Sequence, residues 1–399
     1  MLIYLLALPF LFVILAMIAK WRQVSVIGLG IVLHLIQAVL VWMLASSAFL
    51  IWAQSLQLLC LVTVLIGISV TTQKDSSERF MSQLHGALFS FFTLATLFLP
   101  SLWQQAGIAL VSLLVLVVWF VSQRKLRINL GTAMITWFYT VIMLASSAHV
   151  LSLERAHIIA IVLMVIALLG LVFFFFYRFW LPLWLFCFHL GLGLLLLWAP
   201  QGSSGLAVLL HLTFFMIALM FLTVIQYFFE DSEHEHQEYE KGTIVTLGFW
   251  RVLGSIAHLV SPKKNRALSP TYHALLESSA RFSLAHAFLL LGIVLLWCMP
   301  PTVLFLTVFL LFSQIVAIFG QSYLWLGLLA IIFVVITSLC TKRLLVLWLH
   351  AHPVVVTKNT KVMLSIYALV LLIVLMVSTF WLPDQLMDAL QKIGQTLQA

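Results

Sequence analysis

Uninterrupted apolar runs of about 20 residues recur along this chain, separated by short polar intervals that hold nearly all of its charge. That pattern leaves few ways to fold. A run of this length crosses a hydrocarbon layer as a helix, because in lipid each backbone amide must be satisfied within its own segment or in a closed barrel. Barrel strands alternate polar and apolar residues, and these runs do not. Composition points the same way. Of the 399 residues, 64% are apolar and 8% charged, and the mean hydropathy is +1.18. Soluble domains carry roughly 25% charged residues, and a water-exposed surface could not be covered from so small a polar supply. The expected fold is an all-α polytopic membrane protein with the lipid bilayer as its solvent.

Hydropathy places spans near 2–19, 24–45, 49–70, 81–100, 104–122, 129–150, 157–177, 180–199, 206–229, 282–299, 302–320, 323–345 and 362–382. The first is read as a retained span, since it lacks a basic leader and a small-residue cleavage pattern. Basic residues test the count. Lys20 with Arg22, Lys74 with Arg79, Arg124 with Lys125 and Arg127, and Arg178 fall in alternate intervals, and Arg155 alone breaks the pattern. The positive-inside rule then puts the N-terminus outside. The interval holding Lys342, Arg343, Lys358 and Lys361 falls inside only if one more crossing precedes it. Segment 243–260 is long enough to supply it, at the cost of leaving Lys263, Lys264 and Arg266 outside. The preferred reading has about 14 transmembrane helices and both termini on the outer side. Its rival lays 243–260 along the interface, with Arg251 and His258 on the wet face.

A single integral membrane domain thus covers 1–399, with two distinctive polar segments. Residues 230–241, EDSEHEHQEYEK, form an acidic cytoplasmic loop that reads first as a solvated turn. Neighbouring Glu233, His234, Glu235 and His236 alone make a poor metal cage. The tail at 384–397 places Leu386, Leu390 and Ile393 at helical spacing. It is expected to be an amphipathic helix at the membrane surface or docked on a neighbouring subunit. Cys60, Cys187, Cys298 and Cys340 stand singly, without metal or redox spacing. The net charge of +8 comes from topology-setting clusters and does not mark a nucleic-acid partner.

Ionisable groups inside a bilayer are costly, so each is a functional candidate. No Asp or Glu lies between Glu78 and Glu154, in 157–229, or between Glu277 and Asp384. What remains is His189, His211, His258 and His286, with Arg178, Arg251, Glu277 and Arg281. Neutral imidazole both donates and accepts, so these histidines are candidates for a proton or ion pathway. Arg251 and His258 share a helix face, and Glu277 precedes Arg281 in the order that favours an ion pair. Pro182, in FWLPLW, marks either a broken helix lining an ion site or a proline in a helix's first turn. Gln314 is a candidate for helix–helix hydrogen bonding. No catalytic residue, metal site or cofactor is assigned. A haem held between His34 and His189 stands as the redox alternative.

Several stretches, in order, resemble a known family. They are SLQLLCLVTVLIGISVTT at 55–72, RFMSQLHGALFSFFTLATLF at 79–98 and FWLPLW at 179–184. MPPTVLFLTVFLLFSQIVAIFG at 299–320 and LSIYALVLLIVLMVSTFWLPDQLMDALQKI at 364–393 complete the set. Together they resemble the antiporter-like proton-conducting membrane subunits of respiratory complex I, formate hydrogenlyase, hydrogenase-4 and Mrp antiporters. The resemblance covers about half the chain and implies fourteen helices with both ends outside. This chain departs from the family at its charges. The family's buried Glu is replaced by the apolar run around Leu114, and its Lys before the broken helix by LVFFFFYRFW. Thr307 and Gln314 stand where a second Lys or Glu is expected. The implied function is a non-catalytic membrane subunit of a proton- or ion-translocating complex, partnered by other membrane subunits in a bacterial inner membrane. It would be complex I-like, hydrogenase-like or of the inorganic-carbon uptake kind, either conducting or structural. A stand-alone secondary transporter, with Arg178 and Arg251 as counter-charges, is the alternative within transport.

Overall fold

The computed structural model describes residues 2–21, 27–44, 52, 55–56, 59–66, 76–95, 99, 101–122, 152–174, 181–197, 205–228, 284–319, 327, 329–335, 337–338, 341 and 358–398. Among these, helix is the only extended regular structure. Eleven helices have defined bounds: α1 Leu2–Trp21, α2 Ile27–Leu44, α3 Ser76–Ala95, α4 Leu102–Ser122, α5 Leu153–Phe174 and α6 Leu181–Leu197. They continue with α7 Gly205–Tyr227, α8 Leu284–Leu296, α9 Val303–Phe319, α10 Lys358–Val377 and α11 Asp384–Gln398. Shorter helical pieces lie at 59–66 and 329–335. The expected segments at 129–150, 230–241 and 243–260 lie outside the described residues.

Helix α7 is the hub. It is apolar nearly all round, and the stretch Gly205–Ile225 is buried throughout. A helix with no polar face has to be enclosed on every side, and here α6, α8, α9, α10 and α11 all pack on it. Among the described residues, Gly205–Ile225 is the one helical stretch both long and apolar enough to cross a membrane by itself. Apolar stretches of 10–17 residues recur in α3–α6 and α8–α10.

Two groups of helices meet through residues 52–66. Helix α3 packs between α1 and α4, and Ser90 Oγ on α3 donates to Gln37 Oε1 on α2 at 3.0 Å. Leu61 and Trp119 of α4 both lie against Gly86 of α3. On the other side, Trp52 Nε1 donates to Thr213 Oγ1 of α7 at 2.8 Å. Thr63 Oγ1 and Tyr367 Oη of α10 are hydrogen-bonded at 2.9 Å. Buried hydroxyls and amides therefore tie these helices where they meet.

The outer faces are apolar too. Met43 of α2, Val121 of α4 and Ile331 of the 329–335 piece are 73%, 68% and 63% exposed, and similar residues line α1, α5, α9 and α10.

The C-terminal helix closes the start of α7. Helix α11 is amphipathic as read, with Asp384, Asp388 and Lys392 exposed along one side. Its apolar side packs on its own chain. Leu390 and Ile393 are buried, and α11 packs against the start of α7. The reason is a backbone contact. A Cβ on Gly205 would stand 2.9 Å from the Gly394 Cα, and one on Gly394 would stand 3.2 Å from the Gly205 carbonyl carbon.

Candidate functional site

Helix α6 brings one side chain from the sequence-derived set against another. Pro182 occupies the first turn of α6, where its missing N–H costs no helix bond. Gly191 and Gly193, two residues apart, point to opposite sides of the helix. A Cβ on Gly191 would lie 2.9 Å from the Ala160 carbonyl oxygen of α5, and one on Gly193 would lie 3.2 Å from Val208 and Leu212 of α7. The missing side chains let α6 lie close to both neighbours. His189 sits one turn before Gly193 and therefore faces α7.

There it meets His211. His189 Nδ1 and His211 Nε2 are hydrogen-bonded at 2.9 Å, and His211 Nδ1 and Thr307 Oγ1 of α9 at 3.1 Å. The Thr307 hydroxyl in turn donates to the Leu304 carbonyl, one turn back in α9, at 3.1 Å. All three side chains are buried. Phe215, one turn along from His211, covers the pair, its ring centroid 4.0 Å from that of His189. A small apolar cavity borders His189, walled by Phe188, Leu192, Leu311, Phe312 and Phe333.

This chain of polar groups crosses three helices inside an apolar core. It offers two groups that can exchange a proton in place, followed by a hydroxyl. Imidazoles are also common metal ligands, but among the described residues no cluster of three or more His, Cys, Asp or Glu could hold a metal ion.

The other predicted residues divide cleanly. His286 is buried at the start of α8, away from the pair. Phe288 lies beside Phe228, and Gly292 faces Leu222 and Ile225, so α8 runs antiparallel to α7. At about 1.5 Å per residue, Phe228 is roughly 25 Å along α7 from His211, which puts His286 far outside hydrogen-bond reach of it. His34 is buried on α2 with its ring against Phe12, whereas His189 is engaged with His211. His189 is thus hydrogen-bonded to His211, where the redox alternative had set it opposite His34. Gln314 is half-buried on α9. Arg178, Arg251, His258, Glu277 and Arg281 lie outside the described residues. Sequence reasoning missed Thr307 as the partner of His211, although the pair itself leaves a trace. His189 and His211 are nearly equidistant from the midpoint of the interval 198–204, so an antiparallel hairpin brings them level.

The site belongs to an all-helical protein with a buried histidine pair extended by a threonine. No known family model matches the sequence, and no curated protein matches it.

Proposed function

We propose that this chain is a multi-pass protein of the bacterial inner membrane, with about fourteen crossings. We infer that it is the non-catalytic membrane subunit of a proton- or ion-translocating complex of the complex I-like, hydrogenase-like or inorganic-carbon uptake kind. The membrane part rests on the outer faces: large apolar side chains such as Met43, Val121 and Ile331 are mostly exposed on several helices, which suits lipid and not water. The conducting part rests on one observation, the hydrogen-bonded series His189–His211–Thr307 buried among apolar helices. Intramembrane ionisable groups that are paired and face the bundle interior mark ion or proton pathways by default.

The replaced family charges fit this reading. Leu114, in the apolar run that stands where the family carries its Glu, is 63% exposed on the outside of α4. Thr307, at the position of a family Lys or Glu, is the end of the buried series. The histidine pair takes over the role the family gives to Lys and Glu, since a neutral imidazole both accepts and donates a hydrogen bond and an arginine only donates.

The test is extraction from native membranes in mild detergent, with mass spectrometry of whatever co-purifies. Stoichiometric membrane partners are expected, and their identity separates redox-driven pumping from carbon uptake. Recovery of the chain alone, stable and monodisperse, overturns the subunit reading in favour of a stand-alone transporter. Replacing His189 and His211 together should abolish coupled proton movement by the assembled complex. Unchanged movement retires the histidine route.

A further inference from the structure

A histidine pair that relays a proton holds one positive charge while it does so. Helices α6, α7 and α9 and residues 329–335, which surround His189 and His211, contain no Asp, Glu, Lys or Arg. Besides the pair, their titratable side chains are Cys187 and Tyr227. Cys187 precedes His189 by two residues and so lies on the other side of α6, and Tyr227 is at the far end of α7 from His211. Helix α5, behind α6, keeps Glu154 and Arg155 exposed at its start. A charge without a counter-charge is costly in an apolar interior, so the pair needs another source of stabilisation.

The rings around the pair offer one. Phe215 is buried and lies near-parallel to both imidazoles. It stands at 31° to His189 with centroids 4.0 Å apart, and at 24° to His211 with centroids 5.6 Å apart. Phe188 and Phe333 stand nearly at right angles to His189, at 5.7 and 6.0 Å. Of the three rings, Phe215 is therefore the one whose face lies along the imidazole. A phenyl face carries the negative part of the ring quadrupole. A cation within about 6 Å of the centroid is attracted to it, most strongly where water is excluded. Both imidazoles meet that distance, so the attraction acts whichever ring carries the proton and whichever nitrogen it sits on.

We propose that the face of Phe215 takes the place of a counter-ion and stabilises the imidazolium of the His189–His211 pair. This rests on the conducting role proposed above. Phe215 is a positioning residue: it neither gives nor takes a proton, and it sets how often the pair holds one.

Fluorination separates this role from packing. Mono-, di- and trifluorinated phenylalanine, placed at Phe215, weaken the negative face in steps and nearly preserve the shape of the ring. Solid-state 15N NMR of the full chain, histidine-labelled and in lipid bilayers, reads the imidazolium-to-imidazole ratio of the pair at one fixed acid pH. His189→Gln and His211→Gln assign the signals. The ratio should fall with each fluorine and be roughly tenfold lower in the trifluoro protein than in the parent. The thermal midpoint and the His34 signal should stay where they are. A constant ratio across the series overturns the proposal, as does a pair that stays neutral at every pH at which the chain is folded. A ratio that follows lost thermal stability instead of fluorine count marks a packing role and also overturns it. The conducting role fails separately. If the ratio falls with fluorine count while proton flux through the assembled complex is the same in the parent and the trifluoro protein, the charge site stands and the relay is overturned.

Discussion

A methyl group added at Gly191 and one added at Gly107 would meet opposite surroundings. At Gly191 it would stand 2.7 Å from Met164 Cγ and 2.9 Å from the Ala160 carbonyl, whereas at Gly107 nothing lies within 4 Å. A methionine can move aside, but a backbone carbonyl takes its helix with it. Gly191→Ala should therefore destabilise the protein by about 1–3 kcal/mol. Gly107→Ala, on an exposed helix position, should be neutral or gain up to about 1 kcal/mol. Denaturation in mixed micelles compares the two, and equal stabilities would contradict the close α5–α6 approach. Ser90→Ala removes the donor to Gln37 between α2 and α3 and should cost about 0.5–1 kcal/mol, since polar links between apolar helices average little more. Few of these contacts were legible beforehand. A glycine in an apolar run announces neither a close neighbour nor open space. His189 and His211 are visible as residues, but their bond depends on both rotations about the helix axes. Thr307 looks like one more hydroxyl that back-bonds to its own helix, which it also does.

At the scale of the element, the sequence was far more informative. The expected apolar runs match the helices to within three residues at each end for α1, α2, α4, α6, α7, α8 and α9, and to within five for α3, α5 and α10. In the proposed lipid placement a desolvated backbone has no alternative to the helix, so length and composition suffice. The amphipathic tail was legible as a helix and illegible as a contact. Its spacing gives the apolar stripe of Leu386, Leu390 and Ile393, but the stripe carries no address. The address is written in Gly394 and Gly205, whose backbones touch. Gly394→Val should lift α11 from α7 and expose Leu390 and Ile393. Hydrogen exchange of the α11 amides should then rise by roughly tenfold or more as local opening becomes easier, while α8 and α9 keep their protection. Unchanged exchange in α11 would show that the docking does not depend on this approach.

For the whole molecule, the arrangement of charge makes a prediction that the helices themselves do not. In the membrane placement proposed above, helix count decides on which side the chain ends lie, and thirteen crossings give opposite sides where fourteen give the same side. The basic clusters alternate cleanly through Arg178, and the cluster at Lys342, Arg343, Lys358 and Lys361 keeps the alternation only with an added crossing. Against this stand Lys263, Lys264 and Arg266, which that crossing leaves outside. Arg281 is left outside with them, so four basic residues stand on each side of the balance, and the fourteen-crossing reading predicts that both termini face the outer side and that 243–260 crosses. Single cysteines placed after Met1 and after Ala399, in a chain whose own Cys60, Cys187, Cys298 and Cys340 are replaced by Ser or Ala, report this with a membrane-impermeant thiol reagent. Both should label in intact cells. Labelling at Met1 alone gives thirteen crossings and returns 243–260 to the interface, with Arg251 and His258 toward water. In that case His258 lies on the same side as the acidic loop at 230–241, and it drops out of any path through the bilayer. Labelling at both ends instead places His258 on a helix inside the membrane, where its distance from His189 and His211 becomes the next quantity to measure.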